Sequence, residues 1–255
     1  MCFDVDSAPP IPVLAGAAVS HDDLVLTAAD GTELAAFLAT PDEPARAGIV
    51  ILPDVRGLYR FYEELALRFA ERGYDALAID YFGRTAGAAK RDDDFEYMPH
   101  VEQTTDDAVQ ADTRAAVEHL RGLGVESVFT VGFCFGGRAS WLAAASGHGL
   151  AGAIGFYGHP TRERGGPSVV QRAPQIEAPI LALQAGDDAS ITAEDNAALE
   201  RALDGVGIEH EIVTYEGAPH SFFDRSQEQF ATASADAWTR ALAFIEHHSS
   251  RPAPV

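Results

Sequence analysis

The sequence predicts an α/β fold, a mostly parallel sheet with helices on both faces and an antiparallel hairpin at its N-terminal end. Three observations carry this expectation. Short continuous apolar runs alternate with segments of helical spacing, the pattern of strands buried on both sides by crossover helices. An Asp30-Gly31 turn dipeptide separates two strand-like segments near the start. No internal repeat and no linker rich in Gly, Ser or Pro divides the 255 residues. Residues 21–250 therefore read as a single domain, and the Pro- and Ala-rich residues 1–20 as an irregular arm.

The elements follow in order. Residues 24–27 and 32–38 flank the turn and pair as the hairpin. Gly48–Leu52, GIVIL, is a strand apolar on both faces. Residues 61–71 space Leu65 and Phe69 along one side of a helix, and 76–81, ALAIDY, form the next strand. A helix over 106–123 aligns Val109, Ala116 and Leu120. A strand over 127–133 and a helix over 138–145 follow. Strands at 151–157 and 180–185, a helix at 193–203, a strand at 211–215 and a long helix from about 227 to 247 complete the alternation. The longest stretch without clear structure is 83–105. It follows a strand, and the loops after strand C-termini are where open sheets bind ligands, so a lid or pocket wall is expected there.

Composition removes several functions. With 39 acidic against 18 basic residues and a net charge of −21, the chain has no basic stripe for nucleic acid and is repelled by anionic membrane surfaces. Lysine occurs only at Lys90, so the positive charge is nearly all arginine. The first residues carry Asp4 and Asp6 but no basic region, unlike a secretory signal. No apolar run approaches the ~18 residues of a membrane helix. Cys2 and Cys134 make neither a disulfide framework nor a CxxC motif, which points to a reducing, cytoplasmic setting. Cys2 reads as an exposed bystander.

The chemistry concentrates at Gly132-Phe133-Cys134-Phe135-Gly136-Gly137, between a β-branched strand and a helical run. This is a nucleophile elbow with cysteine as the nucleophile. Glycines two residues to either side allow the tight strand-to-helix turn that lifts the side chain above the sheet. The turn sets the sulfur at a helix N-terminus, whose positive end favours negative charge. The Phe135 N–H would face a developing oxyanion. An elbow requires an acid and then a histidine at later strand ends. The strand at 180–185 runs into Gly186-Asp187-Asp188, and that at 211–215 into Glu216-Gly217-Ala218-Pro219-His220. An acid of the 187–188 pair and His220 thus fall in the required order. His159 follows a strand too, but precedes the acid. Arg138, in the first turn after the elbow, reads as structural with a carboxylate or aromatic partner, and Trp141 as core.

With these motifs in place, the chain resembles the dienelactone hydrolase family of α/β-hydrolases over roughly residues 24–247. The resemblance rests on the elbow, on Leu52-Pro53-Asp54-Val55-Arg56-Gly57, Asp80-Tyr81-Phe82-Gly83-Arg84, Ala185-Gly186-Asp187-Asp188 and Ala218-Pro219-His220-Ser221-Phe222. It implies Cys134 as nucleophile, His220 as base and Asp188 as orienting acid, with the N–H groups of Val55 and Phe135 as the oxyanion hole. Asp54 stands where the family has a glutamate that contacts the resting thiol. Arg84 matches an arginine that binds a substrate carboxylate. A second such arginine falls on Asp224 here, with Arg225 one residue later.

The function expected is a cysteine-dependent hydrolase of small-molecule esters or enol-lactones, similar to carboxymethylenebutenolidase. The alternatives are a broad carboxylesterase or thioesterase, or a redox-sensing or binding protein on a hydrolase scaffold. No metal or organic cofactor is expected, and the assembly is a monomer or small homo-oligomer.

Overall fold

Strand alternation decides which helices each face of the sheet receives. The structure, a computed structural model, describes residues 6–249; Cys2 lies outside them. The first strands are β1 (Val19–Thr27), β2 (Glu33–Pro41) and β3 (Gly48–Leu52). Helix α1 (Arg60–Ala70), strand β4 (Asp75–Ile79), helices α2 (Gly83–Ala86), α3 (Met98–Gln103) and α4 (Asp106–Gly122), and strand β5 (Val128–Phe133) follow. Then come α5 (Phe135–Ala143), β6 (Gly152–Phe156), α6 (Val169–Arg172), β7 (Ile180–Asp187), α7 (Ala193–Val206), β8 (His210–Pro219) and α8 (Ala231–His248).

The eight strands form one sheet in the order β1-β2-β4-β3-β5-β6-β7-β8. β1 and β2 are antiparallel, as are β2 and β4, and every later pair is parallel. In β3, Ile49 and Ile51 join a core with Leu65, Phe69, Trp238 and Ile245 of α1 and α8. Val50 and Leu52 point the other way, toward Val109, Ala116 and Leu120 of α4. Ile180 and Ala182 of β7 pack with Trp141 of α5 and Leu199 of α7. Helices therefore cover both faces.

The chain leaves β3 for β4 on one side and later returns to β5 on the other. Such a reversal opens a crevice at the strand C-termini. The segments that leave β3 and β5 there carry Val55 and Cys134.

Four local features depart from the sequence reading. The arm is docked: Ser7 and Ile11 are buried, Val19 and Ser20 already belong to β1, and the Ser7 hydroxyl donates to Asp224 Oδ2 at 2.6 Å. Helix α5 starts at Phe135, because Gly136 and Gly137, poor helix formers, are demanded by close backbone approach rather than by propensity. Strand β8 continues to Pro219, which pairs with Asp187, through a register shift after Ala185 that absorbs Gly217. Residues 83–105 contain the short helices α2 and α3.

Candidate active site

The elbow follows from what surrounds its glycines. A Cβ on Gly132 would strike the Gly136 carbonyl, and one on Gly136 the Leu52 carbonyl. One on Gly137 would lie 2.6 Å from the Phe156 oxygen. With the backbone this close, the turn is forced at Cys134, which has φ 54° and ψ −110°, a strained conformation for a side-chain-bearing residue. Its N–H donates to Phe156 O at 3.0 Å, and its carbonyl accepts from Arg138 N–H at 3.2 Å. Cys134 is half-buried and lines a cavity of about 680 Å³ together with Val55, Phe135, Asp188 and His220.

His220 and Asp188 meet within this cavity, His220 Nδ1 lying 2.6 Å from Asp188 Oδ2. The other oxygen of Asp188 accepts from the Ser190 N–H at 2.9 Å and the Ser190 hydroxyl at 2.8 Å. Burial pushes the Asp188 carboxyl up, but the bonds from His220 and Ser190 outweigh it and hold the group at about 2. An ionised Asp188 only accepts, so the Nδ1 contact requires the imidazole proton on Nδ1 and leaves Nε2 able to take another. Asp187 is exposed and lines the cavity rim. The Tyr157 ring, at φ 37°, flanks the imidazole with centroids 5.0 Å apart.

The segment after β3 is held by groups the sequence reading passed over. Tyr81 donates its hydroxyl to Pro53 O at 2.8 Å, and the Asp54 N–H donates to the Tyr62 hydroxyl at 2.9 Å. Burial, with Asp54 nearby, pushes both phenols well above their usual range, so both stay protonated. Asp80, fully buried, accepts from the Leu58 and Phe82 N–H groups and from Arg91. The available signal was the phenol or carboxylate itself, since a buried polar group needs partners.

None of the three residues expected to bind substrate lines the cavity. Asp54 is fully buried, with Oδ1 accepting from the Arg56 N–H at 2.8 Å. Arg84 gives Nη1 to both oxygens of Asp112, at 2.8 and 2.9 Å, and Nε to Asp30 at 2.9 Å. That pairing engages the guanidinium with a buried carboxylate on α4 and with the hairpin turn. Arg225 donates Nη2 to Pro9 O at 3.0 Å, so it fastens the arm instead. Asp224 is likewise spent on Ser7 and the Ser226 N–H.

The cavity holds other charged groups. Met98, Val101 and Glu102 of α3 line it, so the 83–105 segment does form pocket wall. His159 lines it as well; burial and then Arg162 push that imidazole below its usual value. Arg162 and Arg164, from the segment after β6, were missed; their signal was two arginines in a Gly- and Pro-rich loop beyond a strand C-terminus. Arg138 closes on Asp106 with Nη1–Oδ1 at 2.6 Å and Nη2–Oδ2 at 2.8 Å, and Trp141 is core. Among the described residues one group, Glu209, His247 and His248, brings three potential metal-ligand atoms within 4.8 Å of one another, outside the cavity. No helix among the described residues is long and apolar enough to cross a membrane.

Residues 34–249 match the family model for the dienelactone hydrolase family. A carboxymethylenebutenolidase of Rhodococcus opacus is 30% identical over 262 residues, covering 97% of each chain. A candidate carboxymethylenebutenolidase of Yersinia pestis is 28% identical over 234 residues, covering 88% of each. The solved structure of a candidate dienelactone hydrolase of Klebsiella pneumoniae superposes with a TM-score of 0.80 at 25% identity, over 90% of this chain and 99% of that one. The elbow, the sheet order and these likenesses agree: the chain belongs to the dienelactone hydrolase family of α/β-hydrolases and is a hydrolase acting on ester or lactone bonds.

Proposed function

We propose that Cys134, His220 and Asp188 form a catalytic triad that hydrolyses small-molecule esters or enol-lactones through an acyl-cysteine intermediate. His220 Nε2 takes the thiol proton as the sulfur attacks the carbonyl carbon. The N–H groups of Val55 and Phe135 hold the oxyanion. Collapse breaks the ester C–O bond, and the leaving oxygen takes the proton from His220. Water then attacks the thioester, giving its proton to His220, and the sulfur leaves to be reprotonated. The carboxylate of Asp188 keeps the imidazole in the Nδ1–H form and stabilises its cation. No cofactor enters this cycle.

The observation that carries the reading is the 2.6 Å bond between His220 and Asp188 inside the cavity that also holds Cys134. The positions of Arg84 and Arg225, both outside that cavity, favour a broader carboxylesterase over an enzyme that recognises dienelactone through those two residues. The test is hydrolysis of p-nitrophenyl esters and small lactones by the purified chain and by Cys134→Ala. Loss of at least about 10³-fold in kcat/KM is expected, on the scale of nucleophile removal in triad enzymes. Full retention of activity in that variant overturns the assignment.

A further inference from the structure

In a chain with 39 acidic residues against 18 basic ones, an arginine has carboxylates to spare, and several arginines of the fold use them. Arg84, Arg91 and Arg138 each close on an aspartate. Arg162 and Arg164 do not: among the described residues neither forms an ion pair, and both line the cavity of Cys134. Arg164 lies with its guanidinium carbon 4.8 Å from the centroid of the Phe135 ring, next in sequence to the nucleophile. It also donates Nη2 to the Val101 carbonyl. Arg164 is half-buried, whereas the nearby acids Glu102 and Asp187 are exposed, where water screens them.

The segment carrying the two arginines is held in place. Arg138 donates Nε to Arg162 O at 3.1 Å and Nη2 to Pro167 O at 3.3 Å, while Asp106 neutralises its charge. Thr161 bonds Asp195 at the base of α7, and the Val170 N–H donates to Pro160 O at 3.2 Å. Asp106, the carboxylate whose charge reaches Arg164, is itself bonded to Arg138, so the guanidinium over the cavity has no carboxylate bound to it among the described residues and is suited to take an anion. Burial and then the Arg138 charge, against a partial pull from Asp106, hold Arg164 below its usual value, so an entering negative group would relieve it.

We infer that Arg164, with Arg162 at the rim, forms an anion-binding subsite that selects esters carrying a carboxylate beside an apolar body. This rests on the hydrolase reading above. It moves charge recognition from the loops of Arg84 and Arg225 to the segment after β6. The apolar surfaces of Val55, Met98, Val101, Phe135, Tyr157 and Ile191 would take the remainder of the substrate.

The experiment compares mono-p-nitrophenyl adipate with p-nitrophenyl hexanoate, which differ in a terminal carboxylate. For Arg164→Gln, the anionic-to-neutral ratio of kcat/KM should fall at least about ten-fold, through KM rather than kcat. Arg164→Glu should lower it further, and Arg164→Lys should restore part of it. A second readout needs no turnover: adipate should slow iodoacetamide labelling of Cys134 in the unaltered chain but not in Arg164→Gln, with thermal melts checking that each variant folds. An unchanged ratio and unchanged protection overturn the subsite even if both esters are hydrolysed. Absence of all ester hydrolysis would instead overturn the hydrolase reading, and the labelling result alone would then decide the subsite.

Discussion

His220 Nδ1 and Asp188 Oδ2 lie 2.6 Å apart, and the second oxygen of the same carboxylate accepts two bonds from Ser190. The imidazole is thus oriented by a carboxylate that is itself pinned by two bonds from Ser190. The strands that deliver these residues, β7 and β8, are adjacent and parallel, so the pair is set by sheet register rather than by a loop that must find its partner.

Asp188→Asn tests the orienting role. Asparagine fills the same space, but its neutral amide neither fixes the Nδ1–H tautomer nor stabilises imidazolium. Kcat/KM toward a neutral aryl ester should fall by about 10²–10⁴-fold with little change in KM, by analogy with the same exchange in serine-protease triads. Steady-state kinetics with matching circular dichroism spectra check this, and activity within a few-fold of the parent would remove Asp188 from the triad.

The depressed carboxyl of Asp188 has a consequence for acid stability. Held at about 2 when folded and near ~3.9 when unfolded, it binds its proton more readily in the unfolded chain. Its contribution is therefore present in full above about pH 4 and fades as pH falls through about 2. The difference in Tm between the parent and Asp188→Asn should shrink as pH falls below about 4. A difference that grows as pH falls from about 4 to about 2 would reverse the sign and contradict the bonding pattern.

The pair of Arg84 and Asp112 should behave as a structural brace. The Asp112 side chain is 1% exposed, and burial raises its carboxyl to about 6 against the pull of Arg84. Arg84→Ala leaves that acid without its bidentate partner, and unfolding in urea should show a loss of about 2–3 kcal/mol at pH 8, somewhat below the cost of breaking a fully buried pair because Arg84 is partly exposed. A raised carboxyl favours the folded state at lower pH, so the deficit should be smaller at pH 5. The folded variant should hydrolyse mono-p-nitrophenyl adipate within about two-fold of the parent; a selective rise in KM for that ester would return Arg84 to substrate binding.

Much of this was legible in the sequence because it depends on backbone geometry that only certain residues permit. The Gly132–Gly137 run reads as an elbow since each glycine marks a carbonyl pressed against it, and His220 and the 187–188 pair fall at strand ends in the right order. What escaped was set by partners distant in sequence. Arg84 looks like a substrate ligand until Asp112 on α4 and Asp30 in the hairpin turn are folded beside it. Arg225 looks free until the arm, which carries no periodicity, lies along it. Arg162 and Arg164 form no motif, and only the folded cavity distinguishes them from two more solvated charges. Tyr62 and Tyr81 have core spacing, and their hydroxyl bonds to the Pro53–Asp54 segment cross the fold.

Arg138 joins the two outcomes, since the sequence reads it as structural and the fold attaches it to the segment that carries the anion subsite. Its bidentate bond to Asp106 anchors the guanidinium, and the remaining N–H groups hold the carbonyls of Arg162 and Pro167. Lysine keeps the charge but cannot span three acceptors from one planar group. Arg138→Lys should therefore lower Tm and also raise KM for mono-p-nitrophenyl adipate more than for p-nitrophenyl hexanoate. A purely structural arginine would move Tm while leaving the ratio of the two KM values where it was. Measured at a temperature well below the melting point of the variant, that ratio separates a brace for the scaffold from a brace for the charge-recognition segment.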